Sequence, residues 1–196
     1  MTIDDADAIA SIYAHYVTRT VVTFDTETPT PERMRQTVGT LIRDGHPAYV
    51  CLLDGTLAGY CYAHPWKTRP AYRHTLETTI YLHPDYTRRG LGRKLMDCLI
   101  EDCRSRQDCH ALVACITVPN EASTALHEAL GFTCVSRFHE VGHKFGRWLD
   151  VADYELILPS PIRTQDKPAK SAHPATAPSA CTARLVTPAA DTAFTV

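Results

Sequence analysis

The sequence predicts a mixed α/β fold, a central sheet flanked by helices, and three features carry that expectation. The run Thr75–Leu82 alternates like a strand and passes through a glycine turn into an amphipathic helix. Asp54-Gly55 joins two β-rich runs, a strong hairpin signal. Ala111–Val118 is almost wholly apolar or β-branched, as a strand covered on both faces should be.

The remaining elements follow in order. Asp4 or Asp5 is placed to cap a first helix whose Ile9, Ile12, Tyr13 and Tyr16 share a face. A loop with Phe24 and Pro29 leads to Pro31, suited to open a second helix that carries Met34, Val38, Leu41 and Ile42 and stops at Gly45. The hairpin strands are Ala48–Leu53 and Leu57–Ala63. His83-Pro84-Asp85 stops the 75–82 strand, and Leu91, Leu95, Met96, Leu99, Ile100 and Cys103 give a helical stripe over 91–105. Pro119-Asn120 opens a helix over 121–130, and strands near 132–140 and 150–158 close the sheet. From Pro161 onward Pro, Ala, Thr and Ser dominate without periodicity. Residues 1–160 are therefore expected to form one domain, and 161–196 a disordered tail with Cys181 as an exposed thiol.

Composition narrows the function. A chain of 196 residues can bury a full single core. A net charge of −2 gives no general reason for a nucleic-acid or anionic-membrane partner. Asp4, Asp5 and Asp7 stand where a secretory signal has basic residues, and no apolar run reaches membrane-spanning length, so a cytoplasmic location is expected. Cys51, Cys61, Cys98, Cys103, Cys115 and Cys134 are dispersed over apparent strands and a helix, which favours free thiols. Cys98, Cys103, Cys109 and His110 match no zinc spacing, and no metal is expected.

Chemistry concentrates at Thr87-Arg88-Arg89-Gly90-Leu91-Gly92-Arg93. Glycines at the mouth of a helix leave its first amides bare and let phosphates approach, and Arg88, Arg89, Arg93 and Lys94 add positive charge. A P-loop would need Gly-Lys-Ser/Thr here, and a dinucleotide fingerprint a third glycine and a later acidic residue; neither is present. The turn reads as a pyrophosphate cradle, with a solvated βα-turn as the alternative. Glu77 faces away from Leu76, Thr78, Ile80 and Leu82, where it is either a polar surface residue or a carboxylate that removes a proton beside an acyl group.

The turn resembles the acetyl-CoA loop of the GNAT N-acetyltransferase superfamily, Gln/Arg-x-x-Gly-x-Gly/Ala, with Thr87 in the first position. Asn120-Glu121-Ala122-Ser123 through Leu130-Gly131-Phe132 resembles its next helix. Pro65-Trp66-Lys67-Thr68-Arg69-Pro70-Ala71-Tyr72 and Gly142-His143-Lys144-Phe145-Gly146-Arg147-Trp148-Leu149-Asp150-Val151 are similar to the phosphinothricin and methionine sulfoximine acetyltransferases. The resemblance implies the GNAT fold, although the family's first strand is short or missing ahead of the first helix. It implies acetyl-CoA as co-substrate, bound by Ile80, Tyr81 and Leu82 through their backbone, by Arg88, Arg89, Gly90, Leu91, Gly92 and Arg93 at the turn, and by Asn120. It makes Glu77 the general base and His127 either a second catalytic group or a packing residue. It assigns the acceptor to Phe24, Lys67, Arg69, Pro70, Ala71, Tyr72 and Thr79, and it implies a homodimer. The expected reaction is direct acetylation of the α-amine of a small amino acid or analogue. Acetylation of a polyamine, an aminoglycoside or a protein terminus, or a non-catalytic CoA-binding module, are the rivals.

Overall fold

A computed structural model describes residues 1–159 and the backbone of 184–187. Helix α1 (Ala6–Arg19) and helix α2 (Pro31–Arg43) come first. They are followed by strands β1 (Ala48–Leu53), β2 (Thr56–Pro65) and β3 (Thr75–Leu82), then helix α3 (Leu91–Ser105). Strand β4 (Ala111–Val118), helix α4 (Glu121–Ala129), β5 (Thr133–Lys144), β6 (Arg147–Ile157) and β7 (Arg184–Thr187) complete the order. The sheet runs β5-β6-β4-β3-β2-β1-β7.

Local chemistry explains the boundaries. Asp54 and Gly55 both take positive φ, 50° and 77°, which matches the twist of a two-residue hairpin between β1 and β2. The Thr30 hydroxyl accepts the Arg33 amide at 3.2 Å and caps α2, with Pro31 in its first turn. Asp5 stands at the cap of α1, but its carboxylate turns back to accept the Thr2 amide at 2.6 Å. That contact curls residues 3–5 into a 3₁₀ turn, so no strand precedes α1 among the described residues. Met1 is instead buried with α1 and α2.

Two expectations need correction. Strands β5 and β6 are longer than the sequence suggested and meet at Phe145-Gly146, both with positive φ. Charged and aromatic residues at 141–150 had masked the alternation there. Within the segment read as a structureless tail, Arg184–Thr187 pairs in parallel with Val50–Leu53 of β1. A free edge of β1 offers its unpaired backbone groups to such a short β-prone run. The rest of the expected tail, Cys181 included, lies outside the described residues.

The sheet carries a layer on each face. Leu91, Leu95, Met96 and Leu99 of α3 join Cys61, Leu112, Ala114 and Phe132 in one buried cluster. Ile9 and Ile12 of α1 and Met34, Val38 and Leu41 of α2 join Val50 and Tyr60 on the other face. The odd-numbered side chains of β3, Glu77, Thr79 and Tyr81, therefore share the α1–α2 face, where Tyr13, Tyr16 and Tyr60 pack about Tyr81.

Candidate active site

Strands β3 and β4 run parallel but pair only over Thr75–Glu77 and Ala111–Val113. At the point of parting the Thr78 hydroxyl donates to the Val113 carbonyl at 3.3 Å. Beyond it the strands diverge into a cleft of about 770 Å³ lined by Thr78–Leu82, by Ala114–Thr117 and by the first turns of α3 and α4. The far side of Thr78–Leu82 still pairs with β2, so the edge toward the cleft is left for another partner. The Tyr16 hydroxyl already donates to one group there, the Leu82 carbonyl, at 2.6 Å.

The mouth of α3 is built for an anion. Gly90 sits at the N-cap with φ 75° and carries no capping side chain, so the first amides of the helix open toward the cleft. Gly92 serves packing: a Cβ there would meet Leu126 and Leu82 at 3.5 Å, so α3 lies close to both α4 and β3. Asn120 caps α4 by accepting the Ser123 amide at 3.2 Å. His127, in the last turn of α4, is almost fully buried and lines the cleft. Its Nδ1–H donates to the Ser123 carbonyl at 2.8 Å, which leaves Nε2 as a buried lone pair with no partner among the described side chains. Burial pulls its pKa down, outweighing the Ser123 carbonyl, so the ring is neutral near pH 7.

Glu77 lines this cleft and also a smaller cavity of about 320 Å³ on the α1–α2 face. The smaller cavity is walled by Phe24, Tyr62, Thr79, Tyr81, Cys115 and Val151. Glu77 is half-buried, and burial is the main reason its pKa is raised; the nearby Asp153 adds to the rise, while His64 and the Cys115 thiol oppose it. Register explains the grouping: His64 pairs with Glu77 across β2–β3, and Cys115 with Asp153 across β4–β6.

A strand edge, bare helix amides and a half-buried carboxylate where cleft meets cavity suit transfer of an acyl group from a long, phosphate-bearing carrier to an amine. Residues 1–152 match the acetyltransferase (GNAT) domain. This chain belongs to the GNAT acetyltransferase family. It is 38% identical over 156 residues to the L-amino acid N-acyltransferase MnaT of Escherichia coli, covering 79% of this chain and 89% of that one. To a phosphinothricin N-acetyltransferase of Streptomyces viridochromogenes it is 38% identical over 167 residues, covering 83% and 90%. To the L-methionine sulfoximine/L-methionine sulfone acetyltransferase of Salmonella typhimurium it is 36% identical over 154 residues, covering 79% and 90%. The solved phosphinothricin acetyltransferase of Sinorhizobium meliloti, in complex with acetyl-CoA, superposes with a TM-score of 0.79 at 31% identity, covering 89% and 93%.

This GNAT enzyme is an N-acetyltransferase that uses acetyl-CoA, and its own residues fit that co-substrate. Of the residues expected to hold it, Ile80, Tyr81, Leu82, Arg88, Gly90, Gly92, Arg93 and Asn120 line the cleft. Arg89 and Leu91 do not: Arg89 lies over the Tyr86 ring at 5.1 Å and Leu91 enters the core. Arg93 also ties α3 to α4 through the Ala129 carbonyl at 3.1 Å. Of the residues expected at the acceptor, Phe24 and Thr79 wall the smaller cavity. Lys67, Arg69, Pro70, Ala71 and Tyr72 line neither space. Their loop folds on itself instead, with the Lys67 ammonium 3.8 Å above the Trp66 ring and Tyr72 edge-on to it at 5.5 Å.

The structure adds residues that the sequence did not flag. Tyr16, Ser123 and Thr117 line the cleft, Tyr13, Tyr62 and Val151 the cavity, and Asp153 and His64 surround Glu77. Tyr16 stands in the sequence only as one of the apolar-face residues of α1. Asp153 could be drawn to Glu77 only through the β4–β6 register, which joins residues 38 positions apart along the chain, Cys115 and Asp153.

Proposed function

We propose that this enzyme acetylates the α-amine of a small amino acid or amino-acid analogue of the phosphinothricin, methionine sulfoximine or methionine sulfone type, by direct transfer. The observation that carries this reading is Glu77, which lines both the cleft and the smaller cavity. Acetyl-CoA lies along the free edge of β3, its pyrophosphate at the Gly90 turn, and the acceptor enters from the Phe24 side. Glu77 takes a proton from the acceptor ammonium, directly or through water. The neutral amine forms a bond to the thioester carbon, the carbon–sulfur bond breaks, and the proton that the attacking nitrogen must then shed goes to the departing thiolate, which leaves as the CoA thiol. His127, neutral with Nδ1–H committed to Ser123, is an acceptor and not the donor for that last step. It packs edge-on against Phe132 at a ring distance of 5.1 Å and keeps Nε2 buried.

Lys67, Arg69 and Tyr72 are proposed to reach the acceptor carboxylate when their loop closes. The loop leaves β2 at Pro65, opposite Leu76 and next to Glu77, so it springs from the rim of the cavity. The names of the relatives support the acceptor class. We further propose a homodimer, supported by the exposed Val141, Phe145 and Trp148 grouped on the β5–β6 hairpin. A cytoplasmic location is supported by thiols left free from Cys51 to Cys134. No described helix is long and apolar enough to cross a membrane. Residues 1–160 are proposed to suffice for activity, which a chain ending at Ser160 would test directly.

A second reading has one observation behind it. Asp153 beside Glu77 gives the acceptor side a second carboxylate, and carboxylates favour a cationic acceptor such as a polyamine. The same assay separates the two. Acceptor-dependent release of CoA should be far more efficient with methionine sulfoximine, methionine sulfone or phosphinothricin than with spermidine or a lysine-bearing peptide. If spermidine outcompetes all three, the amino-acid reading falls and the polyamine reading replaces it.

A further inference from the structure

We infer that Gly142 and Lys144 of β5 are positioning residues that hold Phe24 in place as the apolar wall of the acceptor cavity and so set which acceptor side chain fits. The inference rests on the proposed role of that cavity. Phe24 lies in the segment between α1 and α2, which has no helix or strand of its own to fix a ring. Yet the ring forms part of the wall that faces Glu77, Thr79 and Val151.

Three independent contacts hold it. The first is with Gly142. A Cβ built on Gly142 would clash with Cζ and Cε2 of the Phe24 ring, and even Cε1, the farthest of the three nearest ring atoms, would be 2.8 Å away. Gly142 is absent from the glycines with positive φ, so its backbone could accept any residue. Space for the ring is what demands glycine. The second contact is Lys144. It is only 3% exposed, and its Nζ donates to the Thr23 carbonyl at 2.7 Å. Burial pulls the Lys144 pKa down, and the charge of Asp25 opposes that fall. An ammonium is an expensive group to bury, and here it grips the residue just before Phe24.

The third contact comes from α1. The Tyr13 hydroxyl of α1 bonds the Thr23 hydroxyl at 2.8 Å and the Asp25 carboxylate at 2.8 Å. Both sequence neighbours of Phe24 are thus anchored, Thr23 to α1 and to β5, Asp25 to α1. The ring itself rests on Gly142. A side chain at 142 would push the ring into the cavity, and loss of the Lys144 ammonium would release the strand of chain that carries it.

The test is a double-mutant cycle in steady-state kinetics with L-methionine sulfoximine as acceptor. Gly142→Ala should raise the acceptor KM about ten-fold, the scale of one misplaced apolar contact, and leave the acetyl-CoA KM unchanged. Lys144→Met, which keeps the stem and removes the donor, should move the acceptor KM in the same direction. In a Phe24→Ala background neither change should add anything, because the ring they hold is gone. Additive effects, or a rise confined to the acetyl-CoA KM, overturn the clamp. Should Phe24→Ala itself leave the acceptor KM untouched, the wall falls and the clamp with it. If the enzyme does not turn over methionine sulfoximine at all, the acceptor reading fails and the clamp is read from thermal unfolding. Gly142→Ala must then lower Tm in the wild-type background and not in Phe24→Ala; equal losses in both overturn it.

Discussion

Cys115 lies directly opposite Asp153 across the β4–β6 ladder, and its thiol sits between that carboxylate and Glu77. Asp153 is in turn oriented by the Ser136 hydroxyl, which donates to it at 2.8 Å. Burial, followed by the charge of Glu77 and contact with Asp153, pushes the Cys115 thiol far up. A thiol beside the reacting centre is an obvious candidate for a covalent acyl carrier, but only a thiolate attacks a thioester efficiently. Two carboxylates keep this one protonated. The arrangement favours Glu77 acting as a base on the acceptor over a two-step transfer through cysteine.

Glu77→Gln should leave acetyl-CoA affinity intact and lower kcat by roughly 10²–10⁴-fold, the usual scale for loss of a general base. The same change should stabilise the fold. Burial raises the folded pKa of Glu77 above its ordinary value of 4.5. Its contribution to stability is then fully present below the unfolded pKa and lost as pH rises through the folded one. At neutral pH the ionised side chain opposes folding, and the neutral amide does not. A higher Tm with a lower kcat is the expected pair; a lower Tm would mean that Glu77 is mainly structural.

Asp153→Asn should act through Glu77 without abolishing turnover. Burial raises the pKa of Glu77 most, His64 opposes it, and Asp153 adds a smaller rise that the Cys115 thiol in part offsets. Removing one negative charge should move the acidic limb of kcat/KM toward lower pH, because Glu77 then loses its proton more readily. A limb that stays where it was would remove Asp153 from the base's surroundings.

The β3–turn–α3 unit was legible in the sequence because every signal in it is local. Alternation at 75–82, glycine at 90 and 92 and the stripe from Leu91 to Cys103 each need only a short window. Of the residues expected on the cofactor side, all but Arg89 and Leu91 line the cleft, and the directions of those two depend on Tyr86 and on the core. The acceptor side was much less legible. The smaller cavity proposed to take the acceptor is lined from α1, the 20–30 segment, β2, β4 and β6, and only the ladder brings these together. Lys67, Arg69 and Tyr72 carried the right chemistry for a carboxylate, but Trp66 attracts Lys67 and Tyr72 into an aromatic cluster that no spacing rule reveals.

The two glycines of the turn should respond differently to substitution. Gly90 has φ 75°, a conformation that costs a residue with a side chain about 1–2 kcal/mol. Gly90→Val should therefore distort the cradle and raise the acetyl-CoA KM by about ten-fold. At Gly92 a Cβ meets its neighbours at ordinary contact distance, so Gly92→Ala should be tolerated. Gly92→Val adds methyls against Leu126, Leu82 and Ile80 and should lower stability as well as affinity. Equal behaviour of Gly90→Val and Gly92→Ala would show that helix-mouth geometry is not what binds the co-substrate.

His127 should make the enzyme sensitive to mild acid. Burial holds its folded pKa below the ordinary 6.5, with the Ser123 carbonyl opposing the fall only in part. A depressed folded pKa means that the unfolded chain binds more protons at this site. The stabilisation is therefore present above the unfolded pKa and is lost as pH falls from there through the folded value. Protonation would put a charge on Nε2, which is buried and has no acceptor among the described side chains. Wild-type Tm should thus drop between about pH 7 and pH 5, and His127→Gln should drop less over the same range while starting lower. His127→Phe separates packing from chemistry, because it keeps the ring against Phe132 but removes both nitrogens. If His127→Phe retains wild-type kcat and KM, the histidine serves packing alone. If kcat falls while Tm holds, Nε2 takes part in the transfer itself.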